Sequence, residues 1–462
     1  MTGKEDISMS LSASSGLALK VISKIGVLLV FSALAIFLLA GINIITSNVG
    51  WWLSGAFLFL FGGSYLFLNH YYKNALPGIK NNGVWQHSLT ARGVFAWLLG
   101  IVLTGFYVLL YWYPQYLGLA NAGQFNTGLI SLFDPFSYFL KQQPASQWFV
   151  YGVCYTVAIL IMGIKFIIKY RHNRYQVIRT ISVMFFQTIL AFLLPEILQS
   201  LKLPYNDFKN AWPLNYYFFD GWHIDEMLHN GTFGIFVLVW GILLSFFITP
   251  ILTYFYGKRW YCSWVCGCGG LAETAGDPFR QLSDKSLRAW NIERYLIHAV
   301  LVFAVLMTAG VVYTYFTGVS KILFLDTYKM REWYGFLIGA AFSGVVGVGF
   351  YPLMGSRVWC RFGCPMAAFL GFLQKHFSRF RITTNGGQCI SCGNCSTYCE
   401  MGIDVKWYAQ RGQNIIRSSC VGCGICSAVC PRGVLNLENG PSDKRYNNPI
   451  TINENGIQLN KF

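Results

Sequence analysis

Charge is what this sequence has least of: 12% of its 462 residues are Asp, Glu, Lys or Arg, and 19 are acidic. That excludes an ordinary soluble domain, in which charged residues make up about a quarter of the chain. With 54% hydrophobic residues, a membrane protein is expected. Cysteine is missing in a second sense, since Cys154 is the only one before Cys262 and the other thirteen fall between Cys262 and Cys430. A disulfide framework across the first half is thereby excluded, and function is concentrated in the second. No Cys-x-x-Cys-His occurs, so covalent c-type haem is excluded on motif grounds. Neither a pair of broken helices nor an intramembrane charge network stands out, which sets a transporter aside, and no bis-histidine haem pair spans the apolar runs. The formal net charge of +16 belongs, in so apolar a chain, to loops facing anionic lipid, and no nucleic-acid partner is expected.

What is present begins with eight apolar runs of the roughly 20 residues needed to cross a bilayer. They are Ile25 to Thr46, Trp51 to Asn69, Gly93 to Tyr113, Trp148 to Ile168, Val177 to Leu198, Phe233 to Tyr256, Tyr295 to Phe316 and Tyr334 to Leu353. Lys and Arg alternate between their connections. One side carries Lys4, Lys20 and Lys24, then Lys73, Lys80 and Arg92, then Lys169, Arg171, Arg174 and Arg179, then Lys258, Arg259, Arg280, Lys285, Arg288 and Arg294. The opposite loops carry Lys141, then Lys202 and Lys209, then Lys321, Lys329 and Arg331. By the positive-inside rule both termini and every cysteine from Cys262 onward face the cytoplasm, and a bacterial inner membrane is the expected location. In that reducing compartment thiols bind metal more readily than they form structural disulfides.

The expected fold is an all-α polytopic bundle of about eight transmembrane helices followed by a small α+β domain. The divisions are a cytoplasmic N-terminus at 1–24, the membrane domain at 25–353 with a cytoplasmic cysteine loop at 257–293, a linking segment at 354–381, a ferredoxin-type domain at 382–440 and a polar tail at 441–462. In the linking segment Met366, Phe369, Leu370, Leu373, Phe377 and Phe380 recur at helical spacing beside Lys375, Arg379 and Arg381. That pattern suits an amphipathic helix on a membrane surface or one packed against the domain behind it.

The most specific signal is a ligand pattern occurring twice. Cys389, Cys392, Cys395 and Cys399 stand in CISCGNCSTYC, and Cys420, Cys423, Cys426 and Cys430 in CVGCGICSAVCP. Both read C-x2-C-x2-C-x3-C, which puts three thiolates on one [4Fe–4S] cube and sends the fourth to its neighbour. The expected sets are Cys389, Cys392, Cys395 and Cys430 for one cluster, and Cys420, Cys423, Cys426 and Cys399 for the other. Paired zinc sites would need more widely separated ligand pairs. Glu400 stands where proline usually follows the fourth cysteine.

A second repeat lies at the ends of two apolar runs. GKRWYCSWVC, from Gly257, and GSRVWCRFGCP, from Gly355, align as G-x-R-x-(aromatic)-C-x-(aromatic)-x-C. On one helical turn an i, i+4 pair points to one side, so Cys262 and Cys266 are expected to face Cys360 and Cys364. Four convergent thiolates suit a third iron–sulfur centre or a redox-active dithiol, the cluster being favoured. Cys268 is a fifth candidate, either an alternative ligand or a thiol in a glycine-rich turn.

Other candidates are single residues. Glu196, after Pro195 near the outer end of the fifth run, is a candidate proton acceptor for a quinol, against a residue in the interfacial zone. His298, one turn past Arg294 and near the cysteine layer, is a candidate for bonding a quinone oxygen, against a histidine bonded to a neighbouring helix. Cys154 reads as packing. The stretch DGWHIDEMLHN, with Asp220, His223, Asp225, Glu226 and His229, matches no standard metal spacing and reads as a solvated acidic loop.

Together the two helix-end cysteine motifs and the trailing two-cluster motif resemble the NapH and NosR family of membrane polyferredoxins. The resemblance covers roughly Phe233 to Leu437 and departs from the family where CSWVCGCGG replaces the usual CxxxCP. It implies iron–sulfur electron transfer between the membrane quinone pool and a respiratory reductase or haem-protein partner, as a subunit rather than a stand-alone enzyme. The motifs are also similar to the CcoG (FixG) accessory proteins, which implies copper reduction for oxidase assembly. Those proteins usually carry an immunoglobulin-like domain, which is not expected in Pro431 to Phe462.

Overall fold

The computed structural model describes residues 21–72, 87–121, 124–319, 321–322, 325–440, 450–453 and 456–459. Lys4, Lys20, Lys73 and Lys80, and most of the N-terminal segment and polar tail, lie outside the described residues. Among the described residues eight helices are long and apolar enough to cross a membrane: Val21–Gly41, Val49–Tyr71, Val94–Trp112, Gln147–Lys169, Arg174–Ser200, Gly231–Tyr256, Leu287–Thr317 and Thr327–Gly349. Each overlaps one of the expected runs, with ends shifted by a few residues because interfacial polar residues continue the helices. Leu287–Thr317 gains two turns at its start, where Ser286 Oγ accepts from Ala289 N at 3.1 Å and caps the helix.

Small residues allow a close crossing of the first two spans. A Cβ on Gly26 would lie 2.7 Å from Gly63 O, and one on Gly63 would lie 2.6 Å from Gly26 O. Hydrocarbon gives little hydrophobic drive between helices, so backbone approach at glycine supplies packing instead.

At the end of the spans opposite the cysteines, two connecting segments form helices of their own. Gly128–Lys141 is an amphipathic helix against the first two spans, and its buried Lys141 pairs with Glu196 at 3.0 Å. Glu196 is thus held in a buried ion pair rather than standing as a free carboxylate. The stretch read as a solvated acidic loop folds as the helix Gly221–His229. Its polar groups are used structurally: Asp220 pairs with Arg331, Asp225 Oδ1 accepts from Tyr315 Oη at 2.7 Å, and buried His223 Nδ1 lies 3.1 Å from Phe218 O.

The amphipathic segment forms the helix Pro365–His376, buried through Met366, Ala367, Leu370, Gly371 and Gln374. It lies between the seventh span and the sixth span's last turns on one side and Ser418 on the other. These contacts fit the packed reading for the buried residues, while Phe372 and Phe377 stay exposed. Behind it a small α+β unit is closed by antiparallel strands Arg381–Thr384 and Leu435–Glu438, in register Ile382 to Leu437.

Candidate iron–sulfur site

The two helix-end motifs have the same backbone design. In each, a span or its last helical piece stops at a glycine with positive φ, Gly257 at 71° and Gly355 at 92°, where other residues would be strained. A short helix follows, Arg259–Cys262 or Val358–Phe362. It unwinds identically: Val265 N and Cys266 N both donate to Tyr261 O, and Gly363 N and Cys364 N both donate to Trp359 O. Cys266 and Cys364 then start the helices Gly267–Thr274 and Pro365–His376. The i, i+4 expectation is therefore corrected in its geometry. The first cysteine lies at the end of one short helix (Cys262) or within it (Cys360), and the second caps the next helix, because the bridging residues form a tight C-terminal wrap.

Cys262, Cys266, Cys360 and Cys364 are all buried in one core cluster, and each lies within electrostatic reach of others in the set. Burial pushes the Cys262 thiol up to about 12, against the pull of Lys258. Cys266 is the exception, drawn down to about 6 chiefly by a hydrogen bond with Cys268. Cys268 therefore belongs beside the four rather than in a remote turn.

The small domain repeats its own geometry. Gly393 and Gly424, after Cys392 and Cys423, have φ of 78° and 75° and start the one-turn helices Asn394–Thr397 and Ile425–Ala428. Gly402 and Gly433 follow Cys399 and Cys430 in the same conformation. Ile403 N and Val434 N each donate to the sulfur four residues back, Cys399 Sγ and Cys430 Sγ, at 3.4 Å. Such N–H groups stabilise thiolates and tune the potential of a cluster they hold. Cys389, Cys392, Cys395 and Cys430 line one cavity. Cys420, Cys423, Cys426 and Cys399 form the other group within mutual electrostatic reach. Among the described residues no three His, Cys, Asp or Glu side chains close tightly enough to hold a single metal ion. All-thiol sets of this kind fit iron–sulfur cubes, which hold their ligands further apart than one tetrahedral zinc would.

The two ferredoxin sets differ in position. The second is sewn to the membrane motif: Ser263 Oγ donates to Val421 O at 2.9 Å, Lys258 Nζ to Ser418 O at 3.2 Å, Tyr175 Oη to Gly422 O at 2.9 Å and Gln176 Nε2 to Cys423 O at 2.8 Å. The first set reaches the surface, with Cys392 and Ile390 exposed.

Sequence reading missed the strongest electrostatic feature. Arg179, Arg280, Arg357 and Lys169 alternate with Glu273, Asp277 and Glu400 in a continuous buried array. Arg357 is its centre. It pairs with Glu273 and, at 2.9 Å, with Glu400, and it donates to Cys262 O at 3.2 Å and toward Cys360 Sγ at 3.6 Å. Glu400, the residue in the usual proline position, is also paired with Arg280 at 2.7 Å. Burial alone would raise the Glu400 carboxyl, but Arg280 and Arg357 hold it below its ordinary value. For Asp277, Lys169 and Arg280 likewise overcome burial and hold it at about 2. The one available signal was Glu400 itself, a charged residue inside an otherwise regular ligand motif.

His298 lies half-buried, its Nδ1 2.7 Å from Arg294 O, in the wall of a cavity of about 300 Å³ that Cys360 and Arg417 also line. Cys154 packs against an apolar cluster that includes Phe149, Val150, Val153 and Phe192.

Comparison with known proteins bears on these same residues. Residues 238–286 and 336–383 match the family described as 4Fe-4S binding domain, and residues 381–431 the family described as 4Fe-4S dicluster domain. The chain is 28% identical over 172 residues to the Escherichia coli protein named "Putative electron transport protein YccM", an alignment covering 36% of this chain and 46% of that one. It is 29% identical over 171 residues to the methylamine utilization ferredoxin-type protein MauN of Paracoccus denitrificans, covering 35% of this chain and 53% of the relative. These alignments span about half the length of the relatives. No solved structure matches the chain. With eight apolar helices, a 4Fe-4S binding domain at their ends and a dicluster domain behind it, the chain fits a membrane polyferredoxin, an iron–sulfur electron-transfer protein.

Proposed function

We propose that this protein carries electrons between the membrane quinone pool and a respiratory reductase system, with residues 382–440 as its two-cluster unit and the cysteine face in the cytoplasm of a bacterial cell. Cys389, Cys392, Cys395 and Cys430 hold one [4Fe–4S] cluster, and Cys420, Cys423, Cys426 and Cys399 the second. Cys262, Cys266, Cys360 and Cys364 hold a third centre, with Cys268 as a neighbouring thiol. Bound there, the clusters supply one-electron donor and acceptor chemistry.

The observation that carries this reading is the seating of the second ferredoxin motif on the first membrane motif, through Ser263 to Val421 and Lys258 to Ser418. A membrane site, a buried ferredoxin site and a surface-reaching ferredoxin site then follow one another, which suits transfer from a lipid-soluble carrier to a soluble or peripheral partner. The exposed Cys392 end is the exit toward that partner.

The test is iron content and paramagnetic spectra of anaerobically purified protein. About eight irons come from two cubes and about twelve from three. Replacing Cys262 and Cys360 by serine should remove one centre and leave the ferredoxin signals intact. An unchanged iron count and spectrum in that variant refutes the third centre, and stoichiometric zinc with fewer than about four irons refutes the ferredoxin assignment.

A further inference from the structure

The two flanks of the membrane motifs are unequal, and a cavity of about 700 Å³ makes them so. Phe186 and Leu252, from the fifth and sixth spans, form its apolar end. Trp260, Trp264 and Val265 of the first motif form a wall, and Gly424 and Ser427 of the second ferredoxin motif also line the cavity. Its size falls in the range of small-molecule pockets, and it lies between two units, where such pockets concentrate. The wall is fixed by hydrogen bonds, since Trp264 Nε1 donates to Tyr175 Oη at 3.2 Å and Ser182 Oγ to Trp264 O at 3.1 Å.

Arg259 lines this cavity and is the repeat counterpart of Arg357. Arg357 is buried between two carboxylates, whereas Arg259 has no carboxylate partner among the described residues. Its Nε donates to Tyr256 O at 3.1 Å, and its guanidinium lies over Phe380 at 4.6 Å and Tyr175 at 5.6 Å. Both Nη atoms lack a hydrogen-bond partner among the described residues. A guanidinium held on aromatic faces keeps its edge for an oxygen acceptor. Flat aromatic walls, one cationic donor and an apolar end between two spans describe a site for a ring bearing oxygens and a hydrocarbon tail.

We propose that this cavity binds the head group of a membrane quinol, with Arg259 donating to one ring oxygen and the tail leaving past Phe186 and Leu252; the proposal rests on the quinone-linked reading above. Oxidation breaks two O–H bonds, turning the hydroquinone into quinone with release of two protons and two electrons. The protons leave to water at the polar end by Asn173 and Ser427. Iron–sulfur centres accept electrons singly. The cavity meets that mismatch, because Val265 adjoins Cys266 and Gly424 stands between Cys423 and Cys426, so two candidate acceptor sites border one ring.

Photolabelling of the full-length protein in membranes with a short-chain azidoquinone tests the site. Label is expected on the peptide containing Trp260 and Trp264, displaced by excess unlabelled quinone and not by phosphatidylglycerol. Arg259→Ala should weaken displacement about tenfold, the loss of one charged hydrogen bond. Ser182→Trp should fill the cavity and abolish labelling while iron content and the dithionite-reduced spectrum stay as in wild type. Label beside His298, or displacement by phosphatidylglycerol, overturns the proposal in favour of the other cavity or of a lipid site. The site and the role fail separately. If S182W is reduced by quinol at the wild-type rate, the site is refuted; if label lands in the cavity but no quinol bleaches wild type, the quinol-linked role is refuted.

Discussion

Replacing Arg357 by glutamine removes the cation shared by both halves of the protein. Glu273 and Glu400 lose one partner each but retain Arg179 and Arg280. Breaking a buried pair from one side costs about 3–5 kcal/mol, and the retained partners put the expected loss near the lower end. Arg357 Nη1 also lies 3.6 Å from Cys360 Sγ. At an effective dielectric of about 20, unit charges at that separation interact by roughly 4–5 kcal/mol. An electron added to the proposed membrane centre is spread beyond that sulfur, so on the order of 1–2 kcal/mol of reduction free energy is expected to be lost. At about 59 mV per factor of ten for one electron, the midpoint potential falls by roughly 40–90 mV. Arg357→Lys keeps the charge and loses the fork, so it should cost stability with a much smaller potential shift. Redox titration followed by paramagnetic resonance, with thermal melting in detergent, separates the two effects. Equal potentials in wild type, R357K and R357Q would refute the electrostatic reasoning and leave Arg357 as an anchor only.

Asp277 titrates at about 2 in the folded protein, below its ordinary 3.8. Its stabilising contribution, about 2 kcal/mol, is present above about pH 4 and lost as pH falls toward 2; melting temperature against pH should show this loss, and Asp277→Asn should remove it. Glu196→Gln leaves Lys141 buried without its carboxylate and should destabilise by about 3–5 kcal/mol, with every iron–sulfur signal unchanged; an altered rate of reduction by quinol would revive Glu196 as a proton acceptor. Cys392→Ser should block transfer to a soluble acceptor while leaving reduction from the membrane side, because Cys392 lies at the exposed end; a loss of both would refute the order of centres.

The spans were legible because bilayer thickness imposes a length and composition that no tertiary contact overrides. The two-cluster domain was legible because ligand spacing in a short loop is nearly a geometric statement. Less could be read where long-range contacts decide. The span order does not reveal that Lys141 meets Glu196, 55 residues apart in the sequence (196 − 141). Nor does helical spacing distinguish a surface helix from one gripped by Ser418, as Gly371 is. The CxxxC pairs were placed on one turn because local hydrogen bonding could not be seen; the wrap onto Tyr261 O and Trp359 O breaks that turn in both copies.

The charged array is also the physical answer to a problem that the cysteine pattern creates. A cube held by the proposed buried thiolates would carry negative charge, and each added electron would increase it, so such a site in low dielectric needs cations that are themselves tolerated there. Four cations alternating with three carboxylates, each paired to its neighbours in one chain, would achieve this with a small net positive charge and without stranding any one of them. The repeat distributes that burden unequally. In the second copy Arg357 and Arg361 are ion-paired, to Glu273 and Glu400 and to Glu293. In the first copy Ser263 stands where Arg361 does, and Arg259 faces a cavity without a carboxylate. One half of the repeat is thus committed to holding charge in place, and the other keeps a cation available to something that arrives.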